Sequence, residues 1–306
     1  MNRNFTNQVR LGCGAAFLLL ILTMTCLAQE PRYVSAILSS DSNPCTRIRP
    51  CRQITRALSV VPDGGQIILL DSGSYDAITI VKSVSIEAAP GVVAVINVAS
   101  GNAVAINAPA ASRIRLRGLS LVGNGNDQNP TFGITFTSNA GVTLYVEDCF
   151  ISKFGIGLGD NQDTKLFVKN TTFRESDSGI QTISPTSIDH CHFENNGTGL
   201  FVNVSARVTI RESTLAGNFR GIWSGGGFNQ NESTEVNVES CAIANNTFGV
   251  RSDGGSIVRL ATSAITNNFV GMVVDDGGQI LSRSPASNTV AGNNSGESFT
   301  GTYAAQ

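Results

Sequence analysis

The sequence predicts an all-β solenoid, a parallel β-helix with three short strands per rung of about 22 residues and a capping α-helix before the rungs. Two observations support this prediction. A motif of the form VESCAI recurs along the chain, and a glycine follows most copies at a fixed distance. The composition agrees, because 32 glycines and only 14% charged residues suit turn-rich β structure better than a helical bundle.

The first 28 residues differ from the rest and predict a secretory signal peptide. Arg3 and Arg10 precede an apolar run, and the small residues Cys26 and Ala28 stand where a signal peptidase reads, which places cleavage after Ala28. Two alternatives remain open, an uncleaved N-terminal membrane anchor and a lipidated Cys26. Each predicts an exported protein, secreted, periplasmic or at the cell surface, whose only link to a membrane is this segment.

Residues 29–65 are predicted to close the N-terminal end of the solenoid. Ile54, Ala57, Leu58 and Val61 have helical spacing, Pro50 suits the start of a helix, and PDGG ends it. An amphipathic helix here would cover the strand edges and apolar side chains that an open solenoid end exposes.

The cysteines predict one disulfide and no metal site. Cys45 and Cys51 lie close together in NPCTRIRPC, where an oxidising compartment favours a small-loop disulfide, with two free thiols as the alternative. Cys149, Cys191 and Cys241 share one motif position at intervals of two rungs, about 9.6 Å. That distance exceeds the reach of a disulfide and disfavours a shared metal, so buried free thiols are expected. No cofactor is predicted.

The repeat itself defines residues 66–306 as the parallel β-helix. Copies of the motif begin at Leu116, Val146, Val168, Ile188, Ile210, Val238 and Leu260, with a degenerate last copy at Ser282. The glycines that follow are Gly157, Gly179, Gly199, Gly221, Gly249 and Gly271. A leucine-rich repeat is the main alternative, but the unit lacks the Leu-x-x-Leu-x-Leu spacing and a helical stripe.

Each recurring position then has an expected physical role. Apolar residues at the ends of the motif fill the bore of the solenoid, and the glycines allow turns that a residue with a Cβ would strain. Asparagines three residues before the glycine are expected to stack as a hydrogen-bonded ladder at a bend. They are Asn196, Asn218, Asn246 and Asn268.

Charge is distributed without a clear functional signal. The formal net charge is −2, and no run of basic residues indicates a nucleic-acid partner. The position after the first motif residue alternates in sign, which predicts a ladder of ion pairs between rungs, each worth under about 1 kcal/mol at a surface. Its members are Arg117, Glu147, Lys169, Asp189, Arg211 and Glu239.

The opening run CRQITRALSVVPDGGQIILLDSGSYDAITIVKSVSI and the turns NNTFGV and NNFVGM resemble right-handed parallel β-helix proteins of the pectate-lyase-like superfamily. The resemblance covers roughly residues 41–290 and implies a right-handed β-helix. It implies little about activity, because the superfamily includes polysaccharide lyases, glycosidases, esterases, epimerases and non-catalytic adhesins. Polygalacturonase-like members carry Asn-Thr-Asp and Gly-His-Gly motifs, which are absent here; only VDDGG supplies an acidic pair, Asp275 and Asp276.

Only weak catalytic candidates remain. His190 and His192 flank an inward cysteine and are expected to point outward on one side, with Glu212 one rung away. Exposed histidines on a strand usually have no chemical role. Together with Asp275 and Asp276 they are the candidates for acid–base chemistry.

The strongest binding candidate is an outward column in which Phe201, Trp223 and Arg251 follow one another on successive rungs. Aromatic rings beside a cation suit a sugar ring or a partner surface, unless the loop after Gly225 folds over them. The sequence therefore predicts non-catalytic binding of extracellular polysaccharide or of a cell-surface partner. A carbohydrate-active enzyme with a degenerate site, of the polysaccharide-lyase or glycoside-hydrolase kind, and a passive surface or structural protein are the alternatives.

Overall fold

The computed structural model describes residues 30–304, apart from Leu38, 126–130, 138–140, 161–162, 204–205, 226–233 and Pro285. Within these residues the chain is a parallel β-solenoid of about ten turns with three sheets and one short helix. The predicted signal peptide lies outside the described residues and stays a prediction. In the described part of the chain, no helix has the length and apolar character needed to cross a membrane.

The helix α1 (Ile54–Val60) lies between the first two strands. In chain order the strands are β1 (Arg32–Val34), β2 (Gly65–Leu69), β3 (Gly73–Tyr75), β4 (Ile78–Ile80), β5 (Val84–Ala88), β6 (Ala94–Asn97), β7 (Val104–Ile106), β8 (Arg113–Arg117), β9 (Leu119–Val122), β10 (Phe132–Phe136), β11 (Thr143–Glu147), β12 (Phe150–Ser152), β13 (Ile156–Gly159), β14 (Lys165–Lys169), β15 (Thr172–Arg174), β16 (Ser178–Thr182), β17 (Thr186–Asp189), β18 (His192–Glu194), β19 (Thr198–Asn203), β20 (Arg207–Arg211), β21 (Thr214–Ala216), β22 (Arg220–Gly225), β23 (Glu235–Glu239), β24 (Ala242–Ala244), β25 (Phe248–Asp253), β26 (Ile257–Ala261), β27 (Ala264–Thr266), β28 (Val270–Val274), β29 (Gln279–Ser282), β30 (Thr289–Ala291) and β31 (Gly301–Thr302).

From β2 to β30 every third strand joins the same sheet, as three strands per rung require, and β1 and β31 extend the twelve-strand sheet at its two ends. Over the described residues, the twelve-strand sheet has the order β1-β2-β5-β8-β11-β14-β17-β20-β23-β26-β29-β31, and the ten-strand sheet has the order β3-β6-β9-β12-β15-β18-β21-β24-β27-β30. The nine-strand sheet has the order β4-β7-β10-β13-β16-β19-β22-β25-β28. Pairing between neighbouring strands is parallel throughout these sheets.

The register of the strands places equivalent motif positions directly above one another. Leu116, Val146 and Val168 are successive partners in the twelve-strand sheet, and all three are buried in the bore. Continuous apolar columns of this kind remove side chains from water on every rung, which supplies the main favourable term in folding. The predicted fold class is confirmed, and the leucine-rich-repeat alternative is wrong because the repeating unit contains three strands and no helix.

The helix α1 covers the N-terminal end of the bore as predicted. Ile54, Ala57 and Leu58 are buried, and the helix packs against β1, β2 and β4. Val61 ends it with an extended backbone, and its N–H donates to the carbonyl oxygen of Ala57. Because β1 pairs with β2, the twelve-strand sheet begins before the helix in the chain.

The C-terminal end is closed by a segment that the sequence did not reveal. The N–H groups of Gly271 and Met272, on the outer edge of β28, donate to the carbonyl oxygens of Ser295 and Gly296, both at 2.8 Å. β31 pairs with β29, and Phe299 packs against the core. The degenerate last copy of the motif is therefore followed by an irregular closing segment.

The predicted asparagine ladder lies inside the bend between the ten-strand and nine-strand sheets. The Oδ1 atom of Asn218 accepts bonds from the backbone N–H and the Nδ2 of Asn196, at 2.9 and 3.0 Å. The Nδ2 of Asn218 donates to the Phe193 carbonyl oxygen and to the Asn246 Oδ1, both at 3.0 Å. The pattern continues to Asn293, so each buried amide satisfies backbone groups of its neighbours.

The recurring glycines are required for a reason other than the predicted one. Gly221 lies within β22, and its φ is not in the left-handed region, so turn geometry does not explain it. A Cβ on Gly221 would lie 2.6 Å from the carbonyl oxygen of Gly249 on the next rung. The expectation of a turn glycine is therefore wrong: close approach of stacked backbones excludes a side chain here.

Left-handed turn positions occur elsewhere in the rung, mostly at residues that are not glycine. In the column that follows the first strand of each rung, Gly118 has a φ of 69° and the other members have φ between 46° and 54°. These other members are Asp148, Asn170, His190, Glu212, Ser240 and Thr262. Short polar residues tolerate this conformation better than most, which fits several members of the column.

The alternating charges on the twelve-strand sheet are in register, but the predicted pairs form only in part. Lys169 and Asp189 approach to 3.6 Å. Arg117 does not pair with Glu147, the predicted partner; its Nε lies 2.8 Å from Oδ2 of Asp148. Asp148, in the turn, therefore binds the arginine that Glu147, in the neighbouring strand, was expected to bind.

We expect Asn218→Ala to lower the free energy of unfolding by about 3 kcal/mol, because it leaves several buried donors and acceptors without partners. Urea denaturation followed by circular dichroism measures this change. Asn237→Ala is the matched control, since Asn237 is exposed on a strand, and we expect it to change stability by less than about 0.5 kcal/mol. Equal effects of the two changes would contradict a structural role for the ladder.

We expect Gly221→Ala to destabilise the fold by about 3 kcal/mol, because the new methyl group overlaps the backbone of the next rung. The control is Gly301→Ala, where a Cβ would meet its nearest neighbour at an ordinary 3.4 Å. Thermal melts of the two variants beside the parent give the comparison. A melting temperature for Gly221→Ala equal to that of the control would show that the rungs can separate to admit the methyl group.

Candidate functional site

The three predicted binding residues lie together on the outer face of the nine-strand sheet. Phe201 in β19 is the strand partner of Trp223 in β22, and Trp223 is the partner of Arg251 in β25. Leu200 and Val202, which flank Phe201 in the sequence, are fully buried, so alternation along the strand directs Phe201 outward. In-register pairing then places the other two side chains beside it.

The two aromatic rings stack, and Trp223 lies between Phe201 and two arginines. The ring centroids of Phe201 and Trp223 are 4.4 Å apart with an interplanar angle of 30°. The guanidinium carbons of Arg220 and Arg251 lie 4.6 and 5.6 Å from the indole centroid. Such contacts attract a cation to the face of the ring. Both aromatic residues are half-buried.

A carboxylate behind the rings fixes the cluster. Oδ2 of Asp253 accepts bonds from Nε1 of Trp223 at 2.9 Å and from Nε of Arg251 at 3.1 Å. Arg251 also approaches Oδ2 of Asp275 to 3.2 Å. Asp275, one of the weak catalytic candidates, is therefore the ion-pair partner of the binding candidate. Asp276 follows it in an exposed left-handed turn.

Sequence reasoning missed Arg220, which begins β22. Its guanidinium contacts the rings of both Phe219 and Trp223, the former at 4.8 Å. Burial, and then the neighbouring charge of Arg251, lower the pKa of Arg220 from its ordinary value, although an arginine stays protonated in proteins. Its Nε is buried and has no hydrogen-bond partner among the described residues.

The outward column continues on the other side of Phe201 with small or uncharged residues. Gln181 is the strand partner of Phe201, and Gly159 is the partner of Gln181. The ring of Phe132 lies beside Gly159, where a Cβ would meet it at 3.0 Å. The face of Phe201 opposite Trp223 therefore borders Gln181, and the ring of Phe132 covers the rung beyond it. The predicted covering loop after Gly225 concerns residues 226–233, which lie outside the described residues.

The two histidines are not brought together. His190 ends the first strand of its rung at a left-handed turn, with Nε2 2.7 Å from Glu212 and Nδ1 3.1 Å from Asp189. His192 begins β18 on the ten-strand sheet and is exposed. Among the described residues, no three His, Cys, Asp or Glu side chains form a group that could hold a metal ion. Within the described part of the chain, His190 and Glu212 thus contact each other and no metal-binding group.

The cysteines are placed for structure. Cys45 and Cys51 are joined by a disulfide in the N-terminal segment. Burial raises the pKa of Cys149 and of Cys191 to about 12, and that of Cys241 to about 11. These thiols stay protonated at neutral pH, and a protonated thiol is a poor nucleophile.

Comparisons with known proteins agree with this architecture. A family model described as "Right handed beta helix region" matches residues 68–233 and 132–295. XylC in complex with xylose superimposes with a TM-score of 0.61 at 9% identity, over 86% of this chain and 70% of XylC. No curated protein has a matching sequence.

Two further solved structures are similar. Pectate lyase Pel9A has a TM-score of 0.52 at 13% identity, over 89% of this chain and 79% of that chain. The A-module of the Azotobacter vinelandii mannuronan C-5 epimerase AlgE4 has a TM-score of 0.52 at 12% identity, over 79% and 91% respectively. At identities this low, the superpositions show the fold alone. They confirm the resemblance to pectate-lyase-like β-helices that the sequence predicted.

We expect Asp253→Ala to loosen Trp223, because the indole N–H loses its acceptor and Arg251 loses one of its two carboxylate partners. Trp223 is the sole tryptophan of the chain, so its fluorescence reports on the cluster alone. The expected result is a red-shifted emission maximum and stronger acrylamide quenching than in the parent. Asp276→Ala, which removes an exposed acid from a turn nearby, is the control. Unchanged quenching in Asp253→Ala would contradict the role given to this carboxylate.

Proposed function

The chain belongs to the right-handed β-helix family, and on that premise we propose that it is an exported protein that binds extracellular polysaccharide without catalysis, through Phe201, Trp223 and Arg251. The observation that carries the proposal is the stacked pair of aromatic rings held in place by Asp253. The similar structures include XylC with xylose, a pectate lyase and a mannuronan epimerase, and they support a saccharide ligand for this fold.

The exposed face of Phe201 and the neighbouring Gln181 provide the contacts that a sugar needs. The C–H groups of a pyranose pack against an aromatic face, and the amide of Gln181 can donate to and accept from hydroxyl groups. On the rung beyond Gln181, the ring of Phe132 covers Gly159. A sugar ring would therefore lie beside Phe201 and over Gln181, with Phe132 at the far border of the site.

The ion pairs of the cluster restrict its side chains before any ligand binds. Arg251 is held by Asp253 and Asp275, and Trp223 is held by Asp253 and by its stacked neighbours. Side chains that are already ordered lose little conformational entropy on binding, which favours affinity. The free N–H groups of the arginines can reach hydroxyl or ring oxygens at the edge of the site.

The alternative functions have weaker support. A carbohydrate-active enzyme needs an available acid and base, but Glu212 is engaged by His190 and Asp275 by Arg251. A passive structural role would not explain why the two aromatic rings stack on the outer face and are held there by Asp253. A cell-surface protein is the other class of partner. If no glycan binds, the Trp223→Ala variant tests whether such a protein binds at the same residues.

We expect affinity electrophoresis of residues 29–306 to show retardation by at least one soluble polysaccharide, and Trp223→Ala to weaken it about tenfold. Trp223 supports the ring of Phe201 from behind, so its removal releases the ring on which the sugar packs, and loss of one aromatic contact of about 1.5 kcal/mol corresponds to that factor. Phe269→Ala is the control, because it removes a 60% exposed ring from the same side of the solenoid. Circular dichroism of each variant verifies folding.

Retardation of the parent and the Phe269→Ala variant, with loss in Trp223→Ala, supports the proposal. Retardation of all three proteins would place the site elsewhere, and no retardation on any polysaccharide of the panel would overturn glycan binding. Release of reducing sugar from a bound polysaccharide would overturn the non-catalytic assignment.

A further inference from the structure

The N-terminal end of the solenoid carries a hairpin that lies beyond β1, and we call residues 45–51 the N-terminal hairpin. The N–H of Tyr33 in β1 donates to the carbonyl oxygen of Cys45 at 2.8 Å, and the N–H of Cys51 donates to the carbonyl oxygen of Tyr33 at 3.1 Å. The opposite edge of β1 pairs with β2. The hairpin is therefore the outermost layer at this end of the solenoid.

The backbone of the hairpin is fixed by its own bonds. Thr46 and Arg49 exchange two backbone hydrogen bonds, each 3.1 Å long, which leaves Arg47 and Ile48 as a two-residue turn. The disulfide described above closes the hairpin, and both of its cysteines are fully buried in the core. The turn is thus held in one orientation relative to the solenoid.

An isoleucine stands at the tip of this turn. Ile48 is 90% exposed, more than any other large apolar side chain among the described residues. Two-residue turns favour glycine, asparagine and aspartate, so turn formation does not explain an apolar residue at this position. Burial would remove the side chain from water, which a contact with another surface supplies.

Arginines flank the isoleucine on both sides. Arg47, Arg49 and Arg52 are exposed, and in the described part of the chain no carboxylate forms an ion pair with them. The neighbouring carboxylate, Asp41, accepts backbone bonds instead: its Oδ1 lies 2.9 Å from the N of Arg52 and 2.8 Å from the N of Gln53. The hairpin therefore presents an apolar tip with a basic rim.

The charge of the whole N-terminal segment agrees with this picture. Residues 30–65 contain five arginines and three acids, a net charge of +2 in a chain whose total is −2. The acids are Glu30, Asp41 and Asp63. Asp63 accepts a backbone bond from Ser83 at 2.9 Å, and residues 1–29 contain no aspartate or glutamate. The segment stays basic although the chain is slightly acidic.

An apolar tip with a basic rim matches the layered chemistry of a lipid bilayer. Anionic headgroups attract arginines, and an apolar side chain between the arginines enters the boundary between headgroups and acyl chains. The turn is convex, so it cannot enclose a sugar or another small ligand, whereas a bilayer deforms around it. These features favour a membrane surface as the partner.

The order of the chain also brings the hairpin to a membrane. Residues 1–28, which lie outside the described residues, contain the apolar run of the predicted signal peptide, with an uncleaved anchor or a lipidated Cys26 as alternatives. Only residues 29–31 separate that segment from β1, a span of at most about 10 Å. Export therefore passes the hairpin close to the bilayer, and a retained anchor would keep it there.

We propose that the N-terminal hairpin docks the exported protein on a membrane that contains anionic phospholipid. Ile48 enters the headgroup boundary, and Arg47, Arg49 and Arg52 bind the phosphate groups around it. The sequence predicted no membrane contact beyond residues 1–28, so the hairpin adds a second one. Two signals together give stable membrane attachment where one alone gives reversible binding.

Docking by this end leaves the candidate sugar site accessible. The strand β22, which carries Trp223, is six rungs from β4 in the nine-strand sheet, about 29 Å along the solenoid. The solenoid then projects from the membrane with the Phe201–Trp223–Arg251 cluster away from the lipid. The two sites share no residue, so failure of one proposal leaves the other intact.

The test measures sedimentation of residues 29–306 with lipid vesicles at low salt. Vesicles of phosphatidylcholine and phosphatidylglycerol in equal parts are compared with vesicles of phosphatidylcholine alone. One variant is Ile48→Ser, and the other combines Arg47→Gln with Arg49→Gln. Because these side chains are exposed, we expect the fold to be unchanged, which circular dichroism verifies.

Matched controls remove the same chemistry from exposed positions elsewhere. Val93→Ser replaces a 59% exposed apolar side chain immediately before β6. Arg113→Gln combined with Lys165→Gln removes two exposed cations from the twelve-strand sheet. Trp223→Ala tests independence from the sugar site.

We expect the parent to bind the anionic vesicles, although the chain is slightly acidic, and to be released as salt is raised. The double arginine variant should lower the partition coefficient at least about tenfold, and Ile48→Ser should lower it about fivefold. The controls and Trp223→Ala should bind as the parent does. No binding to the anionic vesicles, equal binding to phosphatidylcholine alone, or an equal loss in the controls would overturn the proposal.

A second measurement locates the tip of the hairpin. Ile48→Trp is made together with Trp223→Phe, which removes the sole native tryptophan. We expect the emission of the introduced indole to shift to shorter wavelength with the anionic vesicles and not with phosphatidylcholine alone. Unshifted emission from vesicle-bound protein would show that the tip stays in water, and the proposed docking would then be wrong.

Discussion

Parallel backbone hydrogen bonding between successive rungs is the constraint on which the remaining structure depends. It repeats each motif position at one strand spacing, so a residue type that suits one rung meets the same type on the next. The apolar bore, the asparagine ladder and the stacked aromatic pairs are consequences of this register. A side chain in this protein is best understood by its column, because its nearest neighbours lie about 22 residues away in the chain.

The same register determines which side chains the columns exclude. Where the chain turns from the ten-strand to the nine-strand sheet, the amide of each asparagine satisfies backbone groups that no strand reaches. Three residues later the backbones of successive rungs come so close that a glycine is needed. Both positions serve the bend. The asparagine satisfies the hydrogen-bonding groups of the backbone, and the glycine leaves room for the backbone of the next rung. The outer faces have no such requirement, so residue types there change from rung to rung, as in the column of Gln181, Phe201 and Trp223.

The sequence predicted those features that follow from repetition. The bore, the asparagine ladder and the adjacency of Phe201, Trp223 and Arg251 all follow once the motif copies are aligned. The capping helix was predicted separately, from the helical spacing of apolar residues before the repeats. It did not place Arg220, because Gly221 and Ile222 both face inward and break the alternation that locates outward residues. It also mistook the role of the recurring glycines, since the approach of two backbones is a property of the assembled rungs and leaves no local signal.

Charge was harder to predict for a related reason. Alternating signs along a column suggested that strand neighbours would pair, yet a turn residue, Asp148, took Arg117 because its side chain returns toward the preceding rung. The net charge of a face is a sum over strands that are far apart in the chain. Composition alone therefore reported a slightly acidic protein and gave no sign that β8, β14 and β20 carry several lysines and arginines on one sheet.

The closing segment over β28 has a consequence for self-association. A solenoid ends in a strand with a row of unpaired N–H and C=O groups, which is a template for adding another chain. Here Ser295 and Gly296 occupy the edge at Gly271 and Met272, and α1 packs over the opposite end. A second copy of this chain consequently finds the edge of β28 already occupied and cannot add a strand to the nine-strand sheet there.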